Sequence, residues 1–213
     1  MRRVSDAHVL GLARLRAVAV FAPKDVNDAV SGCRDRGNVL LGSSYNRRVT
    51  WPRIKFDERS YLQEVTGPRE CFICLLATSD PPSAEVVFRD ESHIVFLNRF
   101  PTLEGYVLIA PVEHREQVIG DFTRDEYLSL QGLIYRIGHA MAAIVPTERL
   151  YVLSLGSQQG NRHVHWHVAS LPPGTPFEDQ QFASLMPGHK GYLDIPETDR
   201  YRFSAFLQKA IHD

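Results

Sequence analysis

His163, His165 and His167 alternate with Val164, Trp166 and Val168 near the end of a 213-residue chain. In an extended strand successive side chains point to opposite faces, so this spacing stands three imidazoles in one row and turns the apolar residues the other way. Imidazole suits attack on phosphorus, proton movement or metal binding near neutral pH. A lone strand histidine more often reads as a satisfied polar residue, and three in register could still form only a metal site. A second chemical signal is Cys71-Phe72-Ile73-Cys74. Two thiolates at this spacing can chelate one ion from a tight turn, but a tetrahedral zinc site needs two more ligands. The alternatives are reduced cysteines or a redox pair, and the redox form wants the motif at the start of a helix in a βαβ unit, which the pattern here does not supply.

The histidine row and its surroundings resemble the histidine triad (HIT) family of nucleotide hydrolases and transferases, whose signature is His-φ-His-φ-His-φ-φ with φ apolar. His163 to Ala169 satisfies every position. Glu91 to Pro101 and Gly105 to His114 look like the family's nucleoside-binding strand and the strand after it, and the likeness covers roughly residues 70 to 175.

The resemblance implies a set of roles. His165 is the nucleophile that attacks an α-phosphorus, forming a nucleotidyl-histidine intermediate and expelling the group beyond it. His167 hydrogen-bonds the phosphate or the scissile oxygen. Asn98 matches the residue that holds the ribose hydroxyls, and Phe96, two residues earlier on the same face, could line the base pocket; a strand-end Asn is also a common turn-former, and Phe96 could be core. In the loop Gly156 to Asn161, Gln159 is the nearest match to the family's phosphate-binding amide, with Ser157 beside it; such loops are also often solvated turns.

Zinc ligands carry over as Cys71, Cys74, His114 and His163, a structural site because four protein ligands leave no open position for water. Uridylyltransferases and dinucleoside polyphosphate phosphorylases place Gln where this chain has His167, so hydrolysis of a nucleotide phosphoanhydride or phosphoramidate is favoured. The alternatives are a nucleotidyltransferase or phosphorylase with the same intermediate, or a non-catalytic, zinc-stapled nucleotide-binding module. The family's usual substrate is a purine nucleotide and its usual state a homodimer joined edge to edge. Two departures bear on substrate preference: Tyr106 stands where many members have His, and Ser170-Leu171-Pro172 replaces a frequent Pro-Arg ending.

The elements that must carry these residues follow from pattern. Strands are expected at Ala84 to Phe88, His93 to Asn98, Tyr106 to Ala110, Tyr151 to Leu155 and His163 to Ala169, all rich in β-branched or aromatic residues. Between the third and fourth, Asp121 to Val145 reads as a long helix: Thr123 and Glu126 form a capping box, and Leu130, Leu133, Ile134, Ile137 and Met141 recur at three- and four-residue spacing before Pro146. Short helices are expected around Phe177 to Met186 and Glu197 to Ile211. The fold class is therefore α+β, a HIT-like antiparallel sheet of about five strands with one long helix and an N-terminal extension.

Gly67-Pro68 marks a boundary between an extension, residues 1–67, and a HIT domain with a helical tail, residues 68–213. The extension reads as helices over Ser5 to Phe21 and Lys24 to Arg36, then an aromatic, basic segment at Trp51 to Phe56. It is an accessory that packs on the core or lengthens a dimer, or upstream residues admitted by a wrongly chosen start codon. Residues 1–67 carry twelve Lys/Arg against seven Asp/Glu and the remainder twelve against eighteen, so the two parts attract, with no nucleic-acid binding implied. Arg14 and Arg16 interrupt any secretory apolar region, no stretch is long enough to span a bilayer, and three cysteines, Cys33 included, fit a cytoplasmic protein with metal-bound or reduced thiols. His93 and His139 are structural by position, and His8, His189 and His212 fall in unmatched or terminal segments.

Overall fold

A computed structural model describes residues 51–66, 70–155 and 162–212, all within the compact unit Ser43–Asp213. The helices expected over Ser5 to Phe21 and Lys24 to Arg36, and the loop with Ser157 and Gln159, lie outside the described residues. Elements run in the order β1 (Arg53–Ile54), α1 (Glu58–Thr66), α2 (Phe72–Thr78), β2 (Val86–Arg89), β3 (His93–Leu97), β4 (Val107–Pro111), α3 (Arg124–Ile144), β5 (Arg149–Leu153) and β6 (Trp166–Leu171). A 3-10 turn at Phe177–Asp179, α4 (Phe182–Leu185), α5 (Pro187–Lys190), β7 (Tyr192–Leu193) and α6 (Glu197–His212) complete the chain. The expected five-stranded antiparallel sheet is present in the order β2-β3-β4-β6-β5.

Strand alternation sorts the sheet into two apolar layers. Val95, Leu97, Val107, Ile109, Trp166 and Val168 face α3 and α6, where they meet Leu130, Leu133, Ile137, Met141, Phe203 and Leu207. Ile94, Phe96, Leu108, Ala110 and Ala169 face the other way, onto Ile73 and Ala77 of α2 and Leu185 of α4. The long helix keeps its expected device at the N-terminus: the Thr123 side chain accepts from the Glu126 amide while the Glu126 carboxylate accepts from the Thr123 amide, satisfying two donors that a helix start leaves orphaned. Its buried stripe of Leu130, Leu133, Ile134, Ile137 and Met141 stabilises the layer by about 1.5–3 kcal/mol per large side chain.

The two strands nearest the histidine row differ from pattern. The last central strand begins at Trp166, not His163. Its ladder with β4 ends at the Ile109–Trp166 pair. Pro111 has no N–H to continue the ladder, and the Val164 amide instead donates to the Arg115 carbonyl at 2.7 Å. Alternation nevertheless persists, since Val164 is buried in the α3 layer. The strand expected at Tyr151 to Leu155 is Arg149–Leu153, shifted two residues earlier to its register with β6.

Residues 51–66 join the same unit through contacts that no periodicity announces. β1 pairs antiparallel with β7, and the Arg53 guanidinium donates to the carbonyls of Gly191 (3.2 Å) and Thr102 (2.9 Å). Phe56 and Tyr61 pack their rings on Phe100 at 5.3 and 5.8 Å between centroids, with Tyr192 alongside. Gly191 is required at this junction: its φ is +72°, and a Cβ there would lie 2.1 Å from the Ile54 carbonyl oxygen.

Candidate metal corner and histidine row

Cys71 caps the N-terminus of α2 and Cys74 occupies its first turn, so the two sulfurs share one helix face. A helix start at the cysteine pair has no sequence signal, because the N-cap position holds Cys71 and not Ser, Thr, Asp or Asn, and Cys71 makes no side-chain cap bond. The setting is still no βαβ unit: α2 leads into an antiparallel sheet, and opposite the sulfurs lie His114, just beyond β4, and His163, just before β6. The four ligand atoms lie within 4.8 Å of one another. Cys71 Sγ is 3.4 Å and Cys74 Sγ 3.5 Å from His163 Nδ1, and Cys74 Sγ is 3.4 Å from His114 Nδ1.

These separations test the donor set for a metal. With Zn–S of about 2.3 Å and Zn–N of about 2.0–2.1 Å, a tetrahedral S···N edge is about 3.5 Å. The three measured edges match it. His163 also has the right tautomer, since its Nε2–H donates to the Pro111 carbonyl at 2.9 Å and leaves Nδ1 bare toward the sulfurs. Burial, then the neighbouring Cys71 sulfur, pushes the Cys74 thiol up to about 11. A cation among the ligands is what would favour the thiolate. The residues fit a tetrahedral metal.

The three histidines of the row share the face opposite α3, and their environments differ. His163 is fully buried, whereas His165 and His167 are half-buried. His165 Nδ1–H donates to the His163 carbonyl at 2.8 Å, so the neutral ring keeps its lone pair on Nε2. The carbonyl of His165 is in turn held by the Ser154 hydroxyl at 2.8 Å, a side-chain contact in place of a ladder bond with β5. The His167 ring centroid lies 4.9 Å from that of His165, and its Nδ1 is 2.9 Å from the Tyr106 hydroxyl. Burial lowers the pKa of both, His167 to about 3, so both rings are neutral at pH 7.

Two Cys and two His thus meet at one end of a row of neutral imidazoles on an antiparallel sheet, with His163 buried and His114 exposed. Residues 82–173 match the family model for the HIT domain. The chain carries a HIT domain. Solved structures agree on the fold. A hypothetical histidine triad nucleotide-binding protein from Sulfolobus tokodaii strain7 is similar with a TM-score of 0.53 and 18% identity over 67% of this chain and 92% of that one. A Zn-bound histidine triad family protein from Mycobacterium smegmatis is similar with a TM-score of 0.53 and 19% identity over 68% and 96%. A histidine triad protein from Bradyrhizobium japonicum gives 0.50 and 17% over 60% and 91%. No curated protein matches.

Within the HIT domain the remaining sequence candidates separate. Asn98 follows β3 directly and is half-buried, and its Oδ1 accepts from the Phe100 amide at 2.9 Å, an Asx turn. It also lines a small cavity of about 30 Å³ with Tyr106, Trp51 and Arg200. Phe96 is 2% exposed, in edge contact with Phe72 inside the second apolar layer. His93 is buried against Asp90, and the His139 ring lies tilted against that of Tyr135, 4.4 Å between centroids, on the outer side of α3. Sequence marks Tyr106 only as a departure bearing on substrate preference and gives Ser154 no role. Their signal is positional: in the β4–β6 register Tyr106 falls diagonal to His167 on the same face, within reach of a long side chain.

Proposed function

We propose that this HIT domain is a zinc-stapled nucleotide hydrolase that cleaves at the α-phosphate of a nucleotide phosphoanhydride or phosphoramidate. The observation that carries the reading is the His165 tautomer, with Nδ1–H committed to the His163 carbonyl and the Nε2 lone pair left available beside His167. In the proposed reaction Nε2 forms a bond to Pα as the bond from Pα to the bridging oxygen or nitrogen breaks, and the leaving group takes a proton from solvent. His167 hydrogen-bonds the phosphate oxygens as charge gathers on them. Water then attacks Pα, its proton passing to solvent as the phosphorus–nitrogen bond breaks. A nucleoside monophosphate and free His165 result.

Cys71, Cys74, His114 and His163 would hold the zinc, whose part is structural, fixing α2 and the segment before β6 to the end of β4. Asn98 would hold the ribose through its Nδ2, since Oδ1 is engaged in the turn. Phe96 supports the base pocket from behind, and Ser157 and Gln159 are proposed phosphate contacts. A purine nucleotide is the expected substrate. The outer edge of β5, last in the sheet order and with Val152 46% exposed, is the edge proposed to pair in a homodimer, and light scattering on the purified protein measures that state. The proposed setting is cytoplasmic; no described helix is long and apolar enough to cross a membrane.

The test is His165→Ala, assayed against dinucleoside polyphosphates and nucleoside phosphoramidates. Turnover should vanish while nucleoside monophosphate affinity stays within about tenfold. Quenched wild-type reactions with α-labelled substrate should leave acid-labile, base-stable label on the protein. Full activity in His165→Ala refutes the mechanism, and nucleotide binding without turnover in the wild type leaves a binding module.

A further inference from the structure

We infer that Tyr106 is a positioning residue that holds His167 in its Nε2–H tautomer, so that the row presents a lone pair on His165 and a fixed N–H donor on His167. The inference rests on the reading of these two rings as the phosphate-handling pair, and it adds a residue and a proton inventory that the reading lacks.

Tyr106 is 4% exposed, and its hydroxyl lies 2.9 Å from His167 Nδ1 with the rings edge to face at 5.7 Å. A buried hydroxyl without a partner costs more than the bond it would make, which commits this one to His167. Two arrangements satisfy the contact: phenol to imidazole nitrogen, or imidazole N–H to phenol oxygen. Phenol is the stronger acid of the two donors and the bare ring nitrogen the stronger base of the two acceptors, so the proton sits on oxygen and points at Nδ1. Burial pushes the Tyr106 hydroxyl above its ordinary pKa, so it keeps that proton throughout the neutral range. With Nδ1 accepting, the neutral His167 ring carries its proton on Nε2.

His165, 4.9 Å away, is fixed in the opposite sense, because a carbonyl can only accept and therefore demands Nδ1–H. Two identical side chains on one face thus differ at their Nε2 ends: one is a base, the other a donor. A histidine in place of Tyr106 could serve as donor or acceptor and would leave His167 to choose. Tyrosine removes the choice.

The deciding measurement is the ring 15N spectrum of the folded, metal-loaded wild-type protein. His167 should show a protonated Nε2 and a hydrogen-bonded, unprotonated Nδ1, and in Tyr106→Phe the Nδ1 signal should move to the position of an unbonded nitrogen. A protonated Nδ1 in the wild type overturns the inference, as does an Nδ1 signal unmoved in a folded Tyr106→Phe. Because this readout needs no turnover, it decides the tautomer even if the protein hydrolyses nothing. Where turnover is found, Tyr106→Phe should lower kcat about tenfold, the worth of one good hydrogen bond, with KM little changed. The loss should disappear in a His167→Ala background, whereas a ring that merely packs would give losses that multiply.

Discussion

Replacing Cys74 with Ser, or stripping metal with a chelator, should lower the midpoint of thermal unfolding by about 10–15 °C. The magnitude follows from what the cluster joins. Cys71 and His163 are 92 residues apart in sequence and meet at 3.4 Å. A link closing a loop of that length removes about 4–5 kcal/mol of entropy from the unfolded chain, treated as a crosslink. In a unit of this size each kcal/mol moves the midpoint by about 2–4 °C, and some loss is recovered because α2 still buries Ile73 and Ala77 on the sheet. Scanning calorimetry on wild type, wild type with chelator and Cys74→Ser, with metal analysis of the same samples, gives both quantities. Wild type should carry about one zinc per chain, and the chelator should do nothing further to the variant. A chelator that removes the metal and leaves the midpoint within about 2 °C refutes the staple, and fresh, chelator-free protein with no zinc refutes the site.

Acid should expose the helix cap. The Arg115 guanidinium, then the Thr123 amide and hydroxyl, hold the Glu126 carboxyl down to about 2. A depressed carboxylate stabilises fully above its unfolded value near 4.5 and loses that contribution as pH falls toward 2. The melting difference between wild type and Glu126→Gln should therefore shrink between pH 5 and 2, and a constant difference refutes the cap's ionic part. Gly191→Ala should break the β1–β7 pairing and cost well over the 1–3 kcal/mol of a left-handed backbone, because its Cβ meets a carbonyl, whereas Gly174→Ala, at φ +78° with open space around it, should cost only about 1–2 kcal/mol. Equal denaturation midpoints for the two contradict this. A chain beginning at Gly67 should lose about 3–5 kcal/mol relative to one beginning at Ser43, from the Arg53 hydrogen bonds and the Phe56 and Tyr61 ring contacts. Matching urea midpoints would show that residues 51–66 contribute nothing.

Features written in local chemistry were legible before the fold was. Thr123 and Glu126 announce a helix start within four residues, and the stripe from Leu130 to Met141 announces which face is buried, because both signals depend on helical spacing alone. The alternation from His163 to Val168 is likewise local and survives in the fold. The gathering of His114 and His163 around the cysteines was read through family resemblance; spacing alone left the third and fourth ligands open. What stayed hidden depends on register or on very short elements. β1 and β7 are two residues each and have no period, and the contact between Tyr106 and His167 needs the β4–β6 register. The late start of β6 comes from Pro111 on the neighbouring strand, a proline whose missing N–H matters only once the two strands are known to be neighbours.

On its other side the histidine row leaves the ladder with β5 after the Leu153–His167 pair. In an uninterrupted strand the carbonyl of His163 would face a neighbouring backbone and be spent on a ladder bond. On that side the carbonyl of His163 instead takes the Nδ1–H of His165, two residues on. The same residue sends Nε2–H to the Pro111 carbonyl and turns Nδ1 to the two sulfurs. His163 is therefore anchored on both ring nitrogens, and its backbone oxygen is placed by that anchoring. Disturbing the metal corner should reach His165 through this one carbonyl, moving the proposed nucleophile without touching it. The alternation of the strand gives the row its shared face, and the break in the strand gives the middle histidine its tautomer.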